Sequence, residues 1–336
     1  RERRLFASRD RLGIKPFYYA CVDGMLLFAS EIKALLLHPS IRAEVHYDAL
    51  QDYLDLQYCL EDKTLFKGVH RLLPGHCLTW QDNRLSVEKY WDLDFTPAEH
   101  GGSDESLAEL LRDAVRLRLR SDVPVGTHLS GGLDSSAIAC FAAPQMDAPL
   151  SVFTGGFTAA DRYDESRYAR IVAESLGAQY HQVFPTAQDL AGSFEEMVYY
   201  LDEPVAGAAV FPQYFLSKLA SQHVKVVLGG QGGDELFCGY TRYLIGYVES
   251  CLQKAIYGSA PLVGGESLSS IEESLTYLRG FEPTMQKLFA SDLFSNPGAR
   301  YYRLLRRSQD MEGILVNSGW RDGGYSTAEA FCAEFD

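Results

Sequence analysis

The sequence predicts an α/β protein whose parallel sheet is flanked by helices, preceded by the remainder of an α+β domain. Three observations carry this prediction. From residue 104 onward, short apolar runs alternate with stretches of helical periodicity. Two of those runs enter glycine-rich acidic loops, at 129–136 and 229–235. Before residue 95 the apolar runs are short, separated by turn signals and interrupted by little helix.

The elements follow in order. Apolar runs at 5–7, 17–20, 25–28, 77–80 and 86–90 predict strands, and Asp23-Gly24 and Asp82-Asn83 supply residues that tolerate hairpin turns. Residues 47–56 predict a helix. A linker is expected at 94–104, where Pro97, Gly101 and Gly102 cluster, with Ser103 and Ser106 placed to start the next helix. Helices are then expected at 104–120, 135–143, 164–176, 187–200 and 211–222, and strands at 125–129, 150–157, 179–184 and 224–228. Beyond about 240 the pattern is mainly helical, without repeats. Domains are expected at 1–95 and 103–336.

Composition narrows the function. A chain of 336 residues can bury two cores, and its net charge of −14 disfavours a non-specific grip on nucleic acid or acidic membrane. Arg112, Arg116 and Arg120, four apart, read as the solvent face of one helix. No apolar run approaches the ~20 residues that cross a bilayer. Seven cysteines without a C-x-x-C pair suit a reducing, cytoplasmic setting, and eight histidines without ligand spacing suit no transition metal. His128 and His181 read as core or surface residues. The start, Arg1-Glu2-Arg3-Arg4, lacks both an initiator Met and a following apolar stretch, so the chain reads as a fragment.

The loop Leu129-Ser130-Gly131-Gly132-Leu133-Asp134-Ser135-Ser136 has the chemistry of a pyrophosphate grip. Adjacent glycines let backbone approach an anion, and serine hydroxyls join the free N–H groups of the following helix. An acidic residue there suits Asp134 as a Mg2+ ligand offsetting charge on a polyphosphate. Without a lysine after the glycines, the loop differs from G-x-x-x-x-G-K-[ST], which favours cleavage between the α and β phosphates. The second loop, Gly229-Gly230-Gln231-Gly232-Gly233-Asp234-Glu235, also follows an apolar run, so Asp134 and Asp234 could serve one metal from two sides of a crevice.

These residues resemble glutamine-hydrolysing asparagine synthetases of the ATP-pyrophosphatase superfamily. The markers are Ser8-Arg9-Asp10-Arg11-Leu12-Gly13-Ile14-Lys15-Pro16, Phe28-Ala29-Ser30-Glu31-Ile32-Lys33-Ala34-Leu35, Pro74-Gly75-His76, both loops, Asp202-Glu203-Pro204 and Gly239-Tyr240. The resemblance implies an adenine nucleotide alpha hydrolase-like fold after a class II glutamine amidotransferase domain. It implies ATP and Mg2+ as cofactors, and aspartate with glutamine or ammonia as small-molecule substrates; a homodimer stays open. Adenine would lie along Leu129 and Gly155, with Gly229, Gly230 and Tyr240 nearby. The phosphates would meet Ser130, Gly131, Gly132, Leu133, Asp134, Ser135 and Ser136, with Asp134 and Asp234 on the metal. Gln231, Asp234, Ser130 and Ser135 are the expected catalytic residues. The implied reaction joins the aspartate β-carboxylate to AMP, releases pyrophosphate, and lets ammonia displace AMP.

The departures are specific. The family's amidotransferase half starts with a catalytic Cys-Gly-Ile that this sequence lacks, and Cys21 is no substitute, so glutamine hydrolysis is not expected of this chain. Best-known members carry Ser-Gly-Glu-Gly where this chain has Gly229-Gly230-Gln231-Gly232, so Gln231 keeps size and hydrogen bonding without a carboxylate. The family's Val-Pro-Phe-Leu-Asp signature and its following Lys do not occur, and Lys254 and Lys287 take no role. Amidation of a different carboxylate, or nucleotide binding without turnover, stay open as alternatives.

Overall fold

The computed structural model describes residues 3–96, 102–156, 164–204, 207, 209–258, 271–289, 294, 296–308 and 324–334. Two compact units divide the chain. One comprises Arg1–Thr96, Val198–Ala206 and Ile245–Asp336, and the other Pro97–Met197 and Gly207–Leu244.

The first unit is built on two antiparallel sheets. Strands β1 (Arg4–Ser8), β5 (His76–Gln81) and β6 (Arg84–Lys89) form one, in the order β1-β5-β6. Strands β2 (Tyr18–Val22), β3 (Met25–Ala29) and β4 (His70–Arg71) form the other, in the order β3-β2-β4. Both expected hairpins are present: Asp23 and Gly24 have φ of 51° and 70°, and Asp82 and Asn83 have φ of 49° and 58°, the left-handed backbone that matches strand twist. Tyr19, Leu72 and Leu78 are buried together, with Leu5, Leu26 and Leu85 packed against them, so both sheets supply one core. Helix α1 (Ile32–Leu35) and the two-residue β4 lacked a readable period.

Helix α2 (Tyr47–Leu56) lies where it was expected, its first turn closed by His46 Nδ1 accepting from the Ala49 N–H. Leu56 and Leu60 pack on Tyr302 and Phe331, from helices α12 (Pro297–Leu305) and α13 (Thr327–Ala333).

In the second unit, Ser103 caps α3 (Asp104–Arg118) by accepting from the Ser106 N–H. The linker preceding it falls largely at 97–101, outside the described residues. Arg112 and Arg116 are exposed on α3, while Arg120, also exposed, lies past its end. Four parallel strands follow: β7 (Val125–His128), β8 (Ser151–Gly155), β9 (Gln179–Val183) and β10 (Val226–Leu228), in the order β10-β7-β8-β9. The helices between them are α4 (Leu133–Ala142), α5 (Ser166–Ser175), α6 (Ala187–Leu201) and α7 (Val210–Ala220). Apolar residues from α3, α4, β8 and α5 (Val115, Ala139, Val152, Ala169) form the core on one face, as burial of a parallel sheet requires. Phe153, Ala220 and Val224 form the core on the other. After β10 comes α8 (Gly233–Leu236); α9 (Thr241–Tyr257) passes out of this unit after Leu244, and α10 (Glu272–Leu278) and α11 (Glu282–Phe289) belong to the first unit.

The second face holds an aromatic stack. The rings of His181 and His223 are 4.0 Å apart, and Phe153 lies 5.1 Å from His181. Burial, then the neighbouring His223, holds His181 below its ordinary value of 6.5. The unfolded chain therefore takes up a proton that the folded chain refuses, so the stability tied to this ring is complete above that value and falls as pH drops through it. Thermal denaturation between pH 7.5 and 5.5 is expected to show a smaller loss in His181→Phe than in the parent; equal losses would remove His181 from the acid response.

Candidate functional site

The cavity of the second unit, about 380 Å3, opens at the carboxyl ends of β7, β8 and β10, where an open parallel sheet presents its loops. Of the expected site residues, Leu129, Ser130, Asp134, Ser135, Gly155, Gly230, Gln231, Asp234 and Tyr240 line it. Gly131, Gly132, Leu133, Ser136 and Gly229 do not. They shape the loops instead, and Leu133 points its side chain to solvent with 85% exposure.

The first loop is held by its own hydroxyls. Ser135 Oγ accepts from the Ser130 N–H at 3.1 Å and lies 2.9 Å from Ser130 Oγ, while Ser130 Oγ accepts from the Gly132 N–H at 3.2 Å. Beneath it, the Thr154 hydroxyl donates to the Leu129 carbonyl at 2.7 Å, fixing the strand end. Gly131 has φ of +92°, and a Cβ there would lie 2.8 Å from both Ala169 N and Glu165 O, backbone atoms that cannot swing aside. Gly131→Ala should therefore cost more than the ~1–2 kcal/mol of left-handed backbone alone. A urea-unfolding midpoint within error of the parent would contradict this packing.

The second loop lies directly on the first. A Cβ on Gly230 would lie 2.9 Å from Asp134 Cβ and from Ser135 N, and one on Gly233 would lie 2.5 Å from Asp134 Oδ2. Glycine is what lets the Asp134 carboxylate sit against the start of α8. Asp234 belongs to that same turn, and Gly239 gives room to its Oδ1. Gln231 folds back so that its Oε1 occupies the space a Cβ on Gly229 would need. The glycine at 229 and the glutamine at 231 are thus sterically matched.

Electrostatically the cavity is acidic. Asp134, Asp234 and Glu235 line it, and its lining contains no Lys or Arg among the described residues. Glu235 accepts from the Tyr240 hydroxyl at 2.8 Å, which holds the Glu235 carboxyl low and pushes the Tyr240 phenol up. The Arg242 guanidinium lies over the Tyr240 ring at 3.7 Å. Among the described residues no cluster of three or more His, Cys, Asp or Glu could hold a metal alone. Two hard carboxylates that leave further positions to phosphate and water are the donor set that suits Mg2+.

Sequence reasoning missed His128, Ala209, Pro212, Gln213, Leu216, Gly232 and Glu235 in the lining. Positions 209, 212, 213 and 216 share one helical face, whose apolar stripe Gln213 interrupts, but that pattern alone does not tell a cavity wall from a face packed on the sheet. His128, read as core or surface, lines the cavity and lies 3.2 Å through Nδ1 from Gln213 Nε2.

Comparison with known proteins matches the glutamine amidotransferase domain to residues 1–91 and asparagine synthase to residues 106–320. The chain belongs to the asparagine synthase family. Asparagine synthetase [glutamine-hydrolyzing] 1 of Bacillus subtilis is 35% identical over 244 residues, which is 71% of this chain and 38% of that protein. Asparagine synthetase [glutamine-hydrolyzing] 3 of the same organism is 36% identical over 265 residues, or 73% of this chain and 43% of that one. Amidase chyE of Penicillium rubens is 36% identical over 260 residues, or 71% and 38%. The chain thus spans less than half the length of these three relatives. The solved NH3-dependent NAD synthetase of Campylobacter jejuni overlaps 57% of this chain and 89% of its own at a TM-score of 0.30 and 13% identity, too low to bear on function.

The family marker Asp202-Glu203 does not line this cavity. Both side chains work in the first unit. Asp202 accepts from the N–H groups of Ile32 and Lys33 at 2.7 and 3.1 Å and pairs with Lys33 Nζ at 2.8 Å. Glu203 accepts from the Leu65 N–H at 2.5 Å and pairs with Arg71 at 3.3 Å, and burial pushes its carboxyl up. No shape of the sequence pattern distinguishes such a clasp from a ligand contact.

Proposed function

We propose that this chain uses ATP to activate a carboxylate, aspartate in the first instance, as an acyl adenylate that ammonia then converts to the amide. The observation that carries the reading is the packing of two glycine-rich acidic loops, from adjacent strands β7 and β10, around one cavity. Family membership supports it, and the matches at 1–91 and 106–320 support the division into domains at 1–95 and 103–336.

In this reading a carboxylate oxygen attacks the α phosphorus, the bond to the β-phosphate oxygen breaks, and pyrophosphate leaves. Ammonia then adds to the acyl carbon, AMP leaves with the C–O bond electrons, and the surplus proton passes to solvent. Ser130, Ser135 and the N–H groups at the start of α4 would receive phosphate oxygens. Asp134 and Asp234 would hold Mg2+, which when bound neutralises charge that the acidic lining cannot. Gln231 would orient the acceptor carboxylate through its amide, since it has no acid or base function of its own.

A second reading, amidation of a different carboxylate, is favoured by Gln231 and by relatives named as amidases. Pyrophosphate release with Mg-ATP, ammonium and a panel of carboxylates tests both. Release that requires aspartate supports the first, and release only with another acid supports the second. ATP binding without release under any condition would leave a nucleotide-binding protein and refute both.

A further inference from the structure

We propose that Gln213, oriented by His128, reads the edge of the nucleotide base and selects adenine over guanine. This rests on the ATP-binding reading above.

The base end of the cavity can be told from the phosphate end by its chemistry. The serines and carboxylates belong to the two glycine loops, whereas Leu129, Gly155, Ala209, Pro212 and Leu216 give the remaining lining an apolar character. A Cβ on Gly155 would meet nothing within 4 Å, so the end of β8 leaves open space above it. An apolar lining that carries one exposed amide suits a neutral, hydrogen-bonding group such as a nucleotide base. Phosphate or carboxylate would find no positive charge here, because burial holds the His128 imidazole below its ordinary value and therefore neutral.

The amide has a defined orientation. Gln213 Nε2 faces His128 Nδ1 at 3.2 Å; in this scheme the amide nitrogen, which can only donate, gives its hydrogen to Nδ1, and the neutral ring carries its proton on Nε2. That Nε2 is buried without a partner among the described residues, so the ring sits in the protein interior with one nitrogen left to the amide. The Gln213 side chain is itself exposed, and its hydrogen bond to His128 turns the amide oxygen away from the ring as an acceptor. Adenine offers a 6-amino donor to such an oxygen, whereas guanine offers a 6-oxo acceptor that would be repelled. His128 is a positioning residue in this scheme, acting on the base only through Gln213.

Equilibrium binding of Mg-ATP, Mg-GTP and purine riboside triphosphate, which lacks the 6-amino group, tests the proposal on the parent, Gln213→Leu and His128→Leu. The parent is expected to prefer ATP over GTP by about tenfold or more, the scale of one good base contact. Gln213→Leu should weaken ATP to near parity with GTP while leaving purine riboside triphosphate unchanged. His128→Leu should lower the ATP-to-GTP ratio by a smaller factor. Variants whose circular dichroism and melting match the parent but whose ratio is also unchanged would overturn the assignment. A parent that binds none of the three would instead overturn the ATP-binding reading, and this proposal with it.

Discussion

Asp134→Asn is expected to reduce pyrophosphate release by at least about a hundredfold, the scale on which loss of a charge-stabilising group at a reacting phosphate is felt. The substitution isolates charge from shape. Asparagine has the same size, so it still fits the space that Gly230 and Gly233 leave beside α8. It also stays in the first turn of α4, where the exchange of a carboxylate for an amide costs only about 0.3–1 kcal/mol of helix stability. Melting should therefore move little while turnover collapses. In an acidic cavity lined by Asp134, Asp234 and Glu235, the variant should also need more Mg2+ to reach half of its residual rate. Retention of near-parental release at low Mg2+ would show that the carboxylate does not serve the nucleotide. The same loss in Asp234→Asn, with Glu235→Gln less affected because Glu235 is already engaged by Tyr240, would identify the two-carboxylate set.

The parallel sheet and its loops were legible because their signals are local. Val226-Val227-Leu228 before glycines and Val125 to His128 before Ser130 each announce a strand that stops at a loop, and both strands pair in parallel. Boundaries shifted by a few residues where caps decide them: α4 begins at Leu133 because Gly132 is its cap, and α3 ends at Arg118. The cavity wall from α7 was not legible, because an apolar helical face packed on a sheet and one lining a slot have the same period. Nor could the pattern show that Asp202 and Glu203 close on backbone N–H groups in the first unit. Such contacts join residues more than a hundred positions apart, and no periodicity encodes them.

Helix α2 gives the sharpest case of a legible element with an illegible role, and it carries the largest expected loss of stability. Its 3.6-residue period places Ala49, Asp52 and Leu56 on one face, where an aspartate reads as a break in the apolar stripe. Asp52 is instead fully buried. Its carboxylate accepts from the Leu60 N–H at 3.1 Å, the Tyr325 hydroxyl at 2.7 Å and the Thr327 hydroxyl at 2.9 Å, and pairs with Lys63 Nζ at 3.0 Å. Burial and the hydrogen bond to Asp52 push the Tyr325 phenol up, so it remains a donor throughout the neutral range. Removing the carboxylate takes the closer, fully buried counter-charge from the Lys63 ammonium, leaving it the exposed Glu61 carboxylate at 3.5 Å, and takes an acceptor from two hydroxyls. Asp52→Ala is therefore expected to cost about 3–5 kcal/mol, the range for breaking one side of a buried pair. Urea unfolding should show the midpoint falling with little change in slope. Lys63→Met in the Asp52→Ala background should restore part of the loss, because it removes the stranded charge. A double variant no more stable than Asp52→Ala would mean that the hydroxyls from 325 and 327, rather than the ion pair, hold α2 to the C-terminal helix α13.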